Sequence, residues 1–352
     1  MFKPAWAFRA GPALLLLACL AMSACVPEPV RPTTSPLDVP GGPETAVTPA
    51  TGYTPEIGVP YYALAYVGPG DDVCIRPFWY SDSYVVGKAR SGSCPDWYAV
   101  WDGERAVPWL MYVSADSSVA VYKSDNCETA ILPVVAGNDA TVHYLPDGFM
   151  GLDIAGDRGG VLRVLTPQTG APVFDVTYYL RWSYKPTGRY VAFGNPTPAS
   201  GTSVRRSDLA LMDMADGTVE IFRKGDTRHL WVPIGWLTPD VLVYENALAP
   251  GEAQSIDVST GSALPVETPL PLRLDPLRTA RTIPQNIKTG WTGWYDVSPD
   301  EKFLAVVSTN PKGIPTVYVG QLDTGAWYEV GPGDCPRWSS EPYGPECGPD
   351  PG

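Results

Sequence analysis

Five short turns, recurring at a nearly fixed interval, constrain this chain more than any other feature. Asp125-Asn126, Thr169-Gly170, Asp216-Gly217, Thr260-Gly261 and Thr324-Gly325 each separate two strand-like runs, and their second residues lie 44, 47, 44 and 64 residues apart. Asp-Gly and Thr-Gly between β-formers supply the positive φ that tight hairpins need. A second set of turns precedes them: Ala115-Asp116-Ser117, Pro146-Asp147-Gly148, Pro186-Thr187-Gly188, Pro239-Asp240 and Pro299-Asp300-Glu301. Behind these come Val119-Ala120-Val121-Tyr122, Tyr190-Val191-Ala192-Phe193, Val241-Leu242-Val243-Tyr244 and Phe303-Leu304-Ala305-Val306-Val307. Continuous apolar runs of this length suit strands buried on both faces. Sheets stacked face to face around an axis provide that environment, and four-stranded blades recur at about 40 to 50 residues.

The expected fold is therefore all-β, a propeller. The 39 Pro and 35 Gly, about a fifth of the 352 residues, fit many short strands joined by turns. From Gly58 to Ser340 a period near 45 gives about six blades, with seven as the alternative count because Tyr61 to Val113 divides ambiguously. Helical spacing is nearly absent: Leu272 to Lys288 is interrupted by Pro276 and Pro284, so Leu264 to Trp291 is expected to be a long surface loop. The incomplete last module implies closure, its strand pairing with strands from near Tyr61.

Trp182-Ser183-Tyr184-Lys185-Pro186-Thr187-Gly188-Arg189-Tyr190-Val191-Ala192-Phe193 resembles the repeat of TolB-like β-propellers, a Trp-Ser-Pro-Asp-Gly turn followed by a basic residue and an apolar strand. Val297-Ser298-Pro299-Asp300-Glu301-Lys302-Phe303-Leu304-Ala305 is similar, with Glu301 in place of the usual glycine. Trp236-Leu237-Thr238-Pro239-Asp240 matches more loosely, and Pro336-Arg337-Trp338-Ser339-Ser340 looks like the opening of a further copy. The resemblance spans residues 110 to 340. It implies a propeller acting as an envelope interaction platform, and names no partner.

The N-terminus sets the compartment. Lys3 and Arg9 precede the short apolar run Ala13 to Leu20, and small residues then lead to Cys25, the order of a secretory signal. Met22-Ser23-Ala24-Cys25 resembles the lipobox of bacterial lipoproteins, which implies a signal peptide over 1–24, cleavage before Cys25 and acylation (palmitate among the chains) of that residue. Residues 25–58 carry eight prolines between Thr, Ser and Gly and read as a tether, reaching about 30 Å as a coil or up to about 100 Å as polyproline II. Residues 59–352 are the TolB-like propeller domain. The expected location is the cell envelope, on the outer face of the cytoplasmic membrane or on the outer membrane.

With a formal net charge of −13 the chain lacks the basic footprint of a nucleic-acid binder. Once Cys19 leaves and Cys25 is lipidated, Cys74, Cys94, Cys127, Cys335 and Cys347 remain. The pairs nearest in sequence are Cys74 with Cys94 and Cys335 with Cys347, which leaves Cys127 as a buried thiol. No Cys-x-x-Cys, His-Glu-x-x-His, Gly-x-Ser-x-Gly or phosphate-cradling loop occurs, so no metal and no cofactor are expected.

Only His143 and His229 exist. His143, in an apolar run, reads as a satisfied strand residue, and His229 as a surface group. Carboxylates are the one catalytic type in surplus: Asp147, Asp240, Asp296 and Asp300 qualify by position, although turn Asp residues commonly accept local N–H groups. Trp182, Trp236, Trp294 and Trp338 recur at module openings and are expected to pack between blades, whereas Trp97, Trp101 and Trp109 cluster early. The leading expectation is a monomeric, non-enzymatic, lipid-anchored module binding an envelope protein or glycan. The alternative is a carbohydrate-binding or carbohydrate-active propeller using axial carboxylates and tryptophans.

Overall fold

Regular turns between apolar strands dictate the architecture. The computed structural model describes residues 47–49, 61–77, 82–101, 103–136, 140–145, 149–156, 159–166, 169–184, 190–198, 205–266 and 269–343. Cys25, the signal segment and Cys347 lie outside them. Val47–Pro49 forms β1. The first sheet follows with β2 (Leu64–Val67), β3 (Asp72–Arg76) and β4 (Tyr84–Lys88). The second holds β5 (Asp96–Trp101), β6 (Ala106–Val113), β7 (Ser118–Lys123) and β8 (Glu128–Val135). The third holds β9 (Ala140–Leu145), β10 (Phe149–Gly156), β11 (Gly159–Leu165) and β12 (Pro172–Tyr179). The fourth holds β13 (Trp182–Tyr184), β14 (Tyr190–Pro198), β15 (Arg205–Asp213) and β16 (Val219–Arg223). The fifth holds β17 (Trp231–Thr238), β18 (Val241–Asn246), β19 (Gln254–Asp257) and β20 (Ser262–Leu264). The sixth holds β21 (Trp291–Val297), β22 (Phe303–Thr309), β23 (Pro315–Gln321) and β24 (Ala326–Pro332). The last strand, β25 (Asp334–Trp338), crosses to the first sheet and pairs antiparallel with β2, Leu64 opposite Trp338.

Neighbouring sheets share cores at five junctions. Ile75 of the first sheet packs with Leu110 and Tyr112 of the second, Met111 with Met150 and Leu152 of the third, and Leu162 with Phe193 and Met212 of the fourth. Leu209 meets Trp231 and Tyr244 of the fifth, and Leu64 of the first sheet packs with Ala305 and Val317 of the sixth. Six four-stranded antiparallel sheets with this cyclic sharing of cores are consistent with a six-bladed propeller. The five repeated turns all join a third strand to a fourth. Gly170, Gly217, Gly261 and Gly325 sit at φ of 68, 74, 69 and 70°, and Cys127 takes the corresponding left-handed position at 60°. Glu301 does the same at 56° where the TolB-like repeat has glycine. β1, within the stretch read as a tether, pairs in parallel with β24, Val47 opposite Trp327.

Between the fifth and sixth sheets the expected surface loop is instead a partly buried wedge. Pro276 occupies the first turn of α1 (Pro276–Thr282), whose N-cap Asp275 accepts from the Arg278 N–H at 2.9 Å. Pro284 immediately precedes α2 (Gln285–Lys288). The two prolines thus start helices, a position where the missing N–H has no cost. Leu272, Ile283 and Ile287 enter the core of Val297, Leu304 and Val306. Leu274 lies against Gly235, where a Cβ would approach its Cδ2 to 2.2 Å.

The cysteines pair by space, not by sequence. Cys94, just before β5, bonds Cys335 in β25, 241 residues away, with Cα atoms 5.4 Å apart. The nearest-neighbour pairing is therefore corrected: Cys74 is a free, buried thiol whose Sγ points at the Asp72 carbonyl, 3.6 Å away, inside the core shared by the first and sixth sheets. Cys127 is neither buried nor free, since it is exposed and disulfide-bonded to a residue outside the described set. Replacing Cys94 and Cys335 together by Ala is expected to lower the unfolding free energy by roughly 3–5 kcal/mol, because the bond closes a very long loop. Cys74→Ala is expected to cost about 1 kcal/mol. Chemical denaturation of both variants checks this.

Candidate axial site

A ring of sheets leaves one surface that no neighbouring sheet can cover, the inner edge of each. The first strands β5, β9, β13, β17 and β21, together with β25, take that edge, and β21 with β25, β25 with β5, β5 with β9, and β13 with β17 contact one another across sheets. Their residues alternate accordingly. In β9 Val142 is buried while Thr141 and His143 are half-exposed, and in β25 Arg337 stands half-exposed between buried Pro336 and Trp338.

His143 lies between two carboxylates. Its Nδ1 is 3.5 Å from Asp96 Oδ2 and its Nε2 is 3.9 Å from Asp153 Oδ2, with side chains of the three only 22%, 22% and 15% exposed. Thr141 Oγ1 is also 3.1 Å from Nε2. Asp96 is held at the start of β5 by N–H donation from Trp97 at 3.1 Å and from Tyr144 at 3.3 Å. Asp153 accepts from the Tyr178 hydroxyl at 2.6 Å and from Trp182 Nε1 at 3.0 Å. Burial first, and then this bond to Asp153, keep the Tyr178 phenol protonated well above its ordinary range. The Trp182 ring meets the imidazole edge-on at 4.9 Å.

A second group adjoins it. Asp296, next to last in β21, accepts the Trp338 N–H at 2.7 Å. Burial raises its carboxyl above the usual range and the Asp96 charge adds to that, against the pull of Arg337, the Trp338 N–H and Arg273. Arg337 lies over the Trp294 ring at 4.9 Å. Tyr184 ends β13 and keeps 38% of its surface, yet desolvation raises its phenol, and Asp96, Arg337, Asp296 and Arg273 all act on it.

Among the described carboxylate candidates, Asp296 alone reaches this place. Asp300 caps its own turn, accepting from Ser298 Oγ and the Lys302 N–H. Asp240 sits exposed in the turn between β17 and β18, and Asp147 lies outside the described residues. Of the recurring tryptophans, Trp236 and Trp338 are buried between sheets as expected, whereas Trp182 and Trp294 serve the axial groups. The early cluster disperses: Trp97 is core and donates to the Arg337 carbonyl at 3.0 Å, Trp109 packs on Tyr98, and Trp101 is 69% exposed. His229 pairs with Asp226 at 2.9 Å and stacks on Trp231 at the surface. His143 is the partnered strand residue that was expected, in β9, and its partners place it among the axial groups. Asp96, Asp153, Tyr184 and Arg337 were not singled out; for Asp96, Tyr184 and Arg337 a polar residue within an inner strand was the available signal, whereas Asp153 lies in β10, a second strand.

The set combines a carboxyl whose proton burial helps retain, an imidazole between two carboxylates, and two guanidinium groups that act as fixed positive charges. Among the described residues no three His, Cys, Asp or Glu side chains are grouped to hold a metal ion.

No protein-family model and no curated protein sequence matches the chain. Solved structures similar to it include a protein assigned as TolB from Agrobacterium tumefaciens, 13% identical over 78% of this chain and 92% of that one, with a TM-score of 0.38. An oligogalacturonate lyase from Vibrio parahaemolyticus is 9% identical over 74% and 71%, TM-score 0.38. A puromycin-hydrolysing peptidase from Mycobacterium tuberculosis is 9% identical over 82% of this chain and 57% of that one, TM-score 0.38. At these identities the likeness is one of fold. The last two are enzymes by description, so the expectation of a non-enzymatic module is not kept.

The raised Asp296 carboxyl carries a sign. A group that binds its proton more tightly folded than unfolded makes stability fall as pH rises from the ordinary carboxylate range through the folded value. Asp296→Asn removes that loss and keeps an acceptor for the Trp338 N–H. The variant is expected to melt at or above the wild-type temperature at pH 7 and to lose the advantage below about pH 4. Thermal melts across pH check this.

Proposed function

We propose that this protein is an extracytoplasmic, lipid-anchored propeller whose axial site binds carbohydrate of the cell envelope and is equipped for acid–base chemistry on it. The observation that carries the reading is the carboxylates of this site, Asp96 and Asp153 on either side of His143 and Asp296 with its carboxyl raised by burial, together with the indole of Trp182 on Asp153 and His143 and that of Trp294 under Arg337. Paired carboxylates of unequal proton affinity are what glycosidic-bond chemistry uses, and indole faces stack on sugar rings. The positive, apolar and small-residue segments ending at Cys25, followed by the proline-rich stretch, support anchoring and stand-off from the membrane.

Glycan-array binding by the full chain is expected, and Asp296→Asn and Trp182→Ala are each expected to weaken it by about tenfold or more, since losing a buried polar or stacking contact costs about 1–3 kcal/mol. Unchanged binding in both variants would remove the axial site from consideration. Cys25→Ala is expected to abolish incorporation of an alkyne fatty acid and to release the protein from the membrane fraction. Labelling at another residue would defeat the anchoring reading.

A protein partner is the second reading, favoured by the exposure of Trp101 at the end of β5.

A further inference from the structure

The chain that leaves the closing strand continues past the seam onto the second sheet. The Ser339 N–H donates to the Ala63 carbonyl at 2.8 Å, and the Ala63 N–H returns a bond to Ser339 Oγ at 3.0 Å. Tyr343 follows, its N–H on the Tyr61 carbonyl at 2.8 Å. Its ring is 2% exposed in the core shared by the first and second sheets and meets Trp97 edge-on at 5.8 Å. Its hydroxyl hydrogen-bonds that of Tyr84, which lies 3.2 Å from the Tyr122 hydroxyl on β7. Pro342 shares a small cavity with Pro108, Ser124 and Asp125, so the C-terminal segment departs beside the turn between β7 and β8.

That turn holds Cys127, exposed and disulfide-bonded. Of the seven cysteines, Cys94 and Cys335 are bonded to each other and Cys74 is free. Cys19 falls in the signal segment and Cys25 takes the acyl chains in the anchoring reading, on which this step rests. Cys347 remains. Reach agrees with chemistry. Four residues carry the chain from Tyr343 to Cys347, up to about 14 Å, and Cys127 lies two residues past Asp125, within about 7 Å of it. The ends can therefore approach to the Cα separation of about 5.5–6 Å that a disulfide needs.

We propose that Cys127 is bonded to Cys347, and that this exposed bond is a redox-addressable strap holding the residues beyond Tyr343 on the second sheet. As the S–S bond forms, the two thiols lose two protons and two electrons, and the disulfide of a thiol–disulfide oxidoreductase takes them up to become a dithiol. A dithiol reductant runs the exchange backwards. The two bonds differ in access: Cys94 and Cys335 are only 8% and 7% exposed, whereas Cys127 opens to solvent. Thiolate attack needs a reachable sulfur, so the strap opens first, and the buried Tyr343 stays in the core when it does.

The test digests the oxidised full chain with trypsin in the absence of reductant. Cleavage after Arg90, Lys123, Lys312 and Arg337 places Cys94, Cys127, Cys335 and Cys347 on separate peptides. Mass spectrometry is expected to find the Cys127 peptide joined to the Cys347 peptide. A graded dithiothreitol series quenched by alkylation is expected to label these two at about tenfold lower reductant than Cys94 and Cys335. Cys347→Ser is expected to leave Cys127 open to alkylation without reductant, and to lower the melting temperature far less than removal of the Cys94–Cys335 bond does. Cys127 joined to a second copy of the chain, or both bonds yielding at the same reductant concentration, overturns the inference. So does a melt of Cys347→Ser as low as that of the protein without Cys94–Cys335. Cys127 joined to Cys25 overturns the inference and the anchoring reading together, and the axial site stands in every case.

Discussion

The burial of sheet faces against neighbouring sheets, and against the wedge where the fifth and sixth sheets meet no shared core, is the constraint on which the rest of this molecule depends. A single four-stranded sheet built from Val119-Ala120-Val121-Tyr122 or Leu304-Ala305-Val306-Val307 would expose an apolar face on each side. Stacking removes that exposure for all sheets only if the first also meets the last. Crossing β25 to β2, and linking Cys94 to Cys335 beside that crossing, supplies the meeting. The wedge of Leu272, Ile283 and Ile287 does the same where the fifth and sixth sheets are joined.

Closure has a chemical corollary. Inner strands cannot be roofed by a seventh layer, so their axial positions tolerate polar side chains that the sheet faces would reject. Asp96, His143, Tyr184, Asp296 and Arg337 are such positions, contributed by five different strands far apart in sequence. The surrounding sheets hold them at fixed separations while excluding most water, which is why the Asp296 carboxyl departs from its ordinary behaviour. The positioning is inexpensive for the fold, because Trp182 and Tyr178 that hold Asp153 belong to adjoining sheets whose contact is already fixed by packing.

Much of the architecture was legible because turns are local. Thr169-Gly170 or Thr324-Gly325 announces a hairpin regardless of what surrounds it, and the left-handed φ values bear this out. The closing strand was legible too, since Pro336-Arg337-Trp338 looks like the opening of a module, and it pairs with β2. What the sequence concealed was relational. Pro276 and Pro284 read as interruptions of a helical pattern when they were starts, a distinction that depends on Asp275 capping the first turn. Cys94 has no sequence neighbour that hints at Cys335. His143 reads as a satisfied strand residue, but what satisfies it is hidden until β9 is known to be an inner strand, and Asp96 acquires meaning only when Tyr144 and His143 arrive beside it.

The bond between Cys94 and Cys335 spans nearly the whole set of sheets. Cleavage of the backbone in any turn between those two residues therefore yields two pieces that remain one covalent molecule, still clasped on both sides of the cut by shared cores. New chain ends placed in those turns, with the present ends spliced, would meet the same clasp. The order in which the sheets are threaded is accordingly less binding on this fold than the circle they complete.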